Sequence, residues 1–180
     1  MAAKVSPLAP TVFHPLPALP GLRLAARECG VCYKGRKDVM LMEVAPGSTI
    51  AGVLTRSLTC SAPVDICRKH LKGGKVRAIL VNAGNANAFT GKVGMESADR
   101  CLKAAAKALK CQPREIYIAS TGVIGEPLND KAITGNLPAL IKDLHADSWN
   151  DAARAIMTTD TFEKVASRTA KIGDAEVTLN

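Results

Sequence analysis

Apolar positions along this chain fall into short runs and helical stripes that alternate from end to end. Asp38–Val44 and Thr49–Thr55 flank the turn signal Pro46-Gly47 and predict a strand pair. Ser61 precedes Pro63–Leu71, where apolar residues recur at helical spacing before Gly73-Gly74, predicting a helix of about three turns. Val76–Val81 predicts a buried strand, which runs into Asn82–Gly91, a loop dense in Gly and Asn. From Met95 to Lys110, Ala98, Cys101, Leu102, Ala105, Ala108 and Leu109 form one stripe while Arg100, Lys103, Lys107 and Lys110 lie opposite, the signature of an amphipathic helix.

Glu115–Ser120 predicts the next strand, with a turn at Thr121–Pro127. The helical stretch Asp130–Leu144 is expected to break at Pro138, with Asn136 capping a restart. Ser148-Trp-Asn-Asp151 resembles a capping box before Ala152–Met157, a helix expected to end at Thr158-Thr159-Asp160. Val165–Ile172 and Ala175–Leu179, around Gly173-Asp174, predict a closing hairpin. Strands and helices mix throughout with no repeat and no linker, so the class is α/β or mixed α+β.

Composition narrows this further. The 180 residues are 47% apolar and only 3% aromatic, which excludes intrinsic disorder and fits one domain or one lobe of something larger. Five prolines between Pro7 and Pro20 make residues 1–28 an expected extended arm, leaving 29–180 as the folded lobe. The net charge of +8 is uneven: residues 1–77 hold 12 Lys+Arg against 4 Asp+Glu, and the remainder balances. Nucleic-acid modules interleave such basic clusters with stacking aromatics. Only Phe13 and Tyr33 occur in that region, so a solvated face, or one meeting an acidic partner chain, is the favoured reading and no nucleic acid is expected.

Six cysteines carry no recognisable disulfide or zinc framework. Cys29-Gly-Val-Cys32 has half the spacing of a zinc site, but no second pair follows and His14, His70 and His145 are scattered. Reduced structural thiols, no metal and a cytoplasmic setting are expected, since no secretory signal pattern opens the chain. No apolar run approaches the length of about 18–20 residues that spans a membrane.

No nucleophile elbow, HExxH, Walker loop or GxGxxG is present. Two strand ends nevertheless break the apolar pattern in the same way, at Asn82-Ala-Gly84-Asn85 and Ser120-Thr121-Gly122. Such ends expose backbone N–H groups, as an oxyanion or carboxylate site requires, and equally they serve as plain strand-to-helix turns. Thr158-Thr159-Asp160 is ambiguous in the same sense, because these residue types also terminate helices.

Five segments taken together carry a resemblance. Ala51-Gly-Val-Leu-Thr55, Ala62-Pro-Val64, Asn82–Ala88 with Thr90-Gly91, Ser120–Gly125 and Ala155–Asp160 occur in the order and approximate spacing of the ornithine acetyltransferase family, the bifunctional glutamate N-acetyltransferases of arginine biosynthesis. The resemblance implies a layered αββα sandwich of the self-cleaving N-terminal-nucleophile type, completed by a β chain. In that family a precursor cuts itself before a threonine, and the α-amine of that new N-terminal residue can activate its hydroxyl. By that resemblance this chain would be the α chain, with Asn180 falling short of the family's cleavage point, so the nucleophile is expected outside the 180 residues.

By the same resemblance, Thr121 and Gly122 match the family's oxyanion-hole pair, and Thr158 matches a substrate-contacting position. Asn82, Gly84 and Asn85 either shape the pocket or serve structure, and Ala83 stands where the family usually has Ser. The implied reaction moves an acetyl group from N-acetylornithine to glutamate, with acetyl-CoA a further donor in some members, and needs no cofactor. The implied assembly is an α2β2 heterotetramer. Two alternatives are a self-cleaving aminopeptidase or amidohydrolase of the same fold and a basic, non-catalytic binding module.

Overall fold

In the computed structural model, which describes residues 5–12 and 14–180, a four-stranded sheet organises the chain. Its strands are β1 (Leu22–Arg27), β2 (Val39–Val44), β3 (Ala78–Asn85) and β4 (Ile116–Val123), side by side in chain order. β1–β2 and β2–β3 are antiparallel, whereas β3 and β4 are parallel. A parallel pair needs a crossover, and helix α2 (Gly91–Leu109) provides it. The remaining elements are α1 (Ala62–His70), α3 (Asp130–Lys142), α4 (Trp149–Ala155) and the hairpin β5 (Arg168–Ile172) and β6 (Ala175–Leu179). The mixed α/β class is thus the one found.

Alternation along the strands assigns the two faces. Ala25, Val39, Leu41, Ala78, Leu80, Ile116 and Ile118 bury against Ile66 and Cys67 of α1, the Ala98–Ala106 stripe of α2, and Ile133, Leu137 and Leu140 of α3. On the other face Leu24 and Met40 meet Ala152 and Ala155 of α4. Covered on both sides, β2 is apolar without alternation from Val39 to Met42. Among the described residues no helix is long and apolar enough to cross a membrane.

Several sequence expectations need correction. β2 pairs with β1 and β3, not with Thr49–Thr55; that segment makes only a bridge from Thr49 to Lys75, and Val53 is 98% exposed. Its true partner β1 lies inside the expected arm of residues 1–28, because Leu24 and Ala25 are core residues; residues 1–4 and 13 of that arm lie outside the described set. Pro138 does not break α3. Ile133, Leu137 and Leu140 form one buried stripe across the proline, and burial of that stripe outweighs the lost N–H bond. Asn136 is no cap; its side chain donates to the Ala132 carbonyl at 2.8 Å, and Asn129 caps the helix by accepting from Ala132 N. Ser148 makes no side-chain cap bond, and α4 ends at Ala155, ahead of Thr158.

Charged groups fix the loops. The fully buried Asp38 carboxylate accepts from Cys29 N and Val31 N, each at 2.7 Å, so the loop between β1 and β2 folds around it. Arg100 of α2 binds Asp130 at the start of α3 at 2.6 Å and holds its carboxyl below the usual carboxylate range.

Two stability outcomes follow from these contacts. Asp38→Ala removes the acceptor of two part-buried N–H groups and is expected to lower the unfolding free energy by about 2 kcal/mol in denaturant titration. For Asp130, the folded state releases the proton more readily than the unfolded chain, whose carboxyl titrates near about 4. The stabilisation is therefore full above that pH and fades as pH falls through the lower folded value. Asp130→Asn should be less stable than the parent at pH 7, the two curves converging in acid; a gap that persists there would acquit the ion pair.

Candidate functional site

Parallel pairing of β3 and β4 sets the two unusual strand ends against each other. Ala83 stands opposite Thr121, and Gly84 opposite Gly122. Both strands run past the points where the sequence predicted loop and turn: the expected strand Val76–Val81 reaches Asn85, and Glu115–Ser120 reaches Val123. Residues without strand propensity stay in the sheet because side chains secure them. Asn82, 1% exposed, donates from Nδ2 to Asn85 O at 2.9 Å and accepts from Ser120 Oγ at 2.6 Å.

Asn85 and Asn87 continue this scaffold beyond the strand. Asn85 Nδ2 donates to Glu126 O at 2.9 Å and its Oδ1 accepts from Asn87 N, while Asn87 donates to Gly94 O and accepts from Thr90 Oγ1. These amides are occupied by backbone groups and by the Ser120 and Thr90 hydroxyls of the same chain. Ala83 is fully buried.

Gly122 has φ +135°, and a Cβ there would lie 2.3 Å from the Gly84 carbonyl carbon. Glycine is required on both counts. Gly84 in turn, at φ +97°, packs against the next layer: a Cβ on it would lie 2.6 Å from Cys32 Cβ and 3.0 Å from Tyr33 Cε2.

The third expected residue arrives from a distant part of the chain. Thr158 Oγ1 lies 3.0 Å from Thr121 Oγ1, so all three positions, Thr121, Gly122 and Thr158, come together, each half-buried. Thr158 follows α4, and the carbonyl before it, that of Met157, accepts from Arg36 Nη2 at 2.6 Å. Arg36 also sits over the Tyr33 ring, 4.5 Å from its centroid. Sequence reading missed this pair, whose one signal was an aromatic residue inside the basic cluster Lys34/Arg36/Lys37. Other members of the basic first part are likewise spent within the chain: Arg27 on Asp143, Lys37 on Asp151, and Arg77 on Glu43.

Chemically, the cluster offers hydroxyl and backbone donors at an open strand end. Three of the six thiols are poorly suited as nucleophiles. Burial, reinforced by Asp38 and Asp130 respectively, pushes Cys29 and Cys101 up to about 12, and burial also raises Cys67. Among the described residues, no three His, Cys, Asp or Glu side chains converge as metal ligands would. Exposed apolar residues flank the strand ends, with Phe89 71%, Val123 52% and Ile124 63% exposed. A cavity of about 550 Å³ lies at the opposite end of the sheet between Leu19, Arg23, Val44 and Arg77.

Comparison with known proteins bears on this geometry. The model of the ArgJ family matches residues 23–180. The chain is 49% identical over 180 residues to the arginine biosynthesis bifunctional protein ArgJ of Mesorhizobium japonicum and 52% to that of Bradyrhizobium diazoefficiens. All of this chain is covered in both, and it spans 44% of each relative's length. Among solved structures, the arginine biosynthesis bifunctional protein argJ of Bacillus halodurans superposes with a TM-score of 0.82 at 30% identity, covering 89% of this chain and 84% of that one. Ornithine acetyltransferase of Mycobacterium tuberculosis, solved in complex with ornithine, gives 0.75 at 32% identity, covering 78% and 77%.

The glycine contact makes a direct prediction. Gly122→Ala must push β4 away from Gly84, so it should lower the thermal midpoint and shift the amide resonances of Gly84 and Asn85 together. An unperturbed Gly84 would show that the strand ends are not in contact.

Proposed function

The chain belongs to the ArgJ family, and from that premise we propose that it is the α chain of a two-chain acetyltransferase that moves the acetyl group of N-acetylornithine to glutamate. The observation that carries the reading is the 3.0 Å approach of Thr158 Oγ1 to Thr121 Oγ1 beside Gly122. It gathers in one place the three residues that the family resemblance selects from separate parts of the sequence.

In this reading the remainder of the precursor supplies a β chain whose N-terminal threonine is the nucleophile. Its hydroxyl attacks the acetyl carbonyl, with the proton passing to the α-amine of the same residue. The carbonyl oxygen becomes an anion that accepts from the Thr121 hydroxyl and the Gly122 N–H. A hydroxyl has one proton and two lone pairs. With Thr158 donating to Thr121 Oγ1, the Thr121 proton is therefore left for the oxyanion, and the chain of two bonds polarises in the right sense. Ornithine leaves by taking up the proton. The glutamate amine then attacks the acyl-enzyme ester and departs as N-acetylglutamate, regenerating the threonine.

Acetyl-CoA is a second donor to the same acyl-enzyme, with the thiol of coenzyme A as leaving group. No cofactor takes part. Thr158, at the rim of the site, contacts the substrate as well as Thr121. The exposed Phe89, Val123 and Ile124 around the strand ends are the surface that the β chain covers, and two such αβ units make the α2β2 assembly.

The test uses the assembled two-chain protein made from the full precursor. Loss of one oxyanion donor typically costs about 10²–10³ in turnover, so Thr121→Ala should lower kcat for acetyl transfer on that scale with the thermal midpoint unchanged. Thr158→Ala should chiefly raise KM for N-acetylornithine. Without glutamate, ornithine release should stop after one turnover; steady release would identify a hydrolase instead. Full activity in Thr121→Ala would remove that residue from the site.

A further inference from the structure

The Thr121–Thr158 contact joins two segments 37 positions apart, and neither segment is held to the other by the sheet. What fixes Thr158 is a set of contacts from the loop between β1 and β2. Arg36 Nη2 donates to Met157 O at 2.6 Å and to Arg154 O at 3.3 Å. Arg154 lies in the last turn of α4 and Met157 two residues beyond its end, where the C=O groups of a helix terminus carry partial negative charge and attract a cation. The Met157 carbonyl is part of the peptide plane that leads into Thr158, so holding it sets the direction of the Thr158 side chain.

Arg36 is itself seated. Its guanidinium lies over the Tyr33 ring at 4.5 Å from the centroid, an attractive cation–π arrangement. The edge of that ring abuts Gly84, whose backbone abuts Gly122. Asp38 closes the loop by binding Cys29 N and Val31 N, and its carbonyl accepts from Ala83 N at 2.8 Å. The contacts therefore form a closed circuit from Gly122 through Gly84, Tyr33, Arg36 and Met157 to Thr158, and back across the hydroxyl pair to Thr121.

We propose that Arg36, braced on Tyr33, is a positioning residue for acetyl transfer: by binding the Met157 carbonyl it sets Thr158, and through Thr158 the direction of the Thr121 hydroxyl. The inference rests on the functional reading of Thr121 and Thr158 given above. Its chemistry favours a guanidinium, since Nη2 donates to both carbonyls while the flat face of the same group lies over the Tyr33 ring, and an ammonium has no such face.

The experiment compares Arg36→Lys, Arg36→Ala, Thr158→Ala and the double variant Arg36→Ala/Thr158→Ala in the assembled enzyme from the full precursor, with kcat, KM and thermal midpoint for each. Displacing Thr158 forfeits its bond to substrate, so Arg36→Lys should raise KM for N-acetylornithine about tenfold. A purely structural defect would lower the active fraction, and hence kcat, without moving KM. Adding Arg36→Ala to Thr158→Ala should raise KM no further, because the residue through which Arg36 acts is already gone. Wild-type KM in Arg36→Lys, or multiplying losses in the double variant, would overturn the proposal while leaving the functional reading intact. Neutral Thr121→Ala and Thr158→Ala in a fully active enzyme would overturn the functional reading and this inference with it.

Discussion

Two glycine backbones in contact determine the shape of this site. Gly84 and Gly122 face each other across the parallel pair β3–β4, at φ +97° and +135°, and a Cβ on Gly122 would be 2.3 Å from the Gly84 carbonyl carbon. Because neither has a side chain, the two strand ends stay paired past the apolar core, and the backbone there is bare. That places Thr121 close to the end of β4, which finishes at Val123. The rest of the arrangement is support for that contact: amides of Asn82, Asn85 and Asn87 beneath it, and the Cys32–Tyr33 segment against its far side.

Support comes from charges as much as from packing. Asp38, fully buried, would be costly without partners; two N–H groups at 2.7 Å satisfy it and make the β1–β2 loop a fixed body. That loop carries Tyr33 and Arg36 toward the end of α4 and Lys37 to Asp151 in the first turn of the same helix. The excess of basic residues in the first part of the chain is thus engaged, in these cases, with carboxylates and helix-end carbonyls of the second part. Exposed pairs of this kind contribute modestly to stability, and their consequence here is geometric.

The elements legible from sequence were those whose signals are local. Residues 95–110 read as a helix because their apolar stripe has the helical period, and the hairpin around Gly173-Asp174 read from its turn. The failures share one cause, the override of local preference by distant contacts. Pro138 reads as a break until Ile133, Leu137 and Leu140 are seen buried on one face; Leu22–Arg27 reads as part of a proline-rich arm until β2 is seen beside it. Thr49–Thr55 has the look of a strand, yet both places beside β2 are filled, by β1 and β3.

For the site, sequence alone determined the residue types: small and hydroxyl residues after two buried strands, and a Thr-Thr-Asp cluster after a short helix. In their order they also carried the family resemblance, since motif spacing is a property of the chain itself. Only the tertiary structure decided that Thr158 reaches Thr121, that Gly84 and Gly122 touch, and that Arg36 braces the segment between. Those are contacts across 37 to 121 residues of separation, and nothing in a local pattern specifies which distant group will fill a given gap; that is settled by sheet register and by the packing of α4 on β1 and β2.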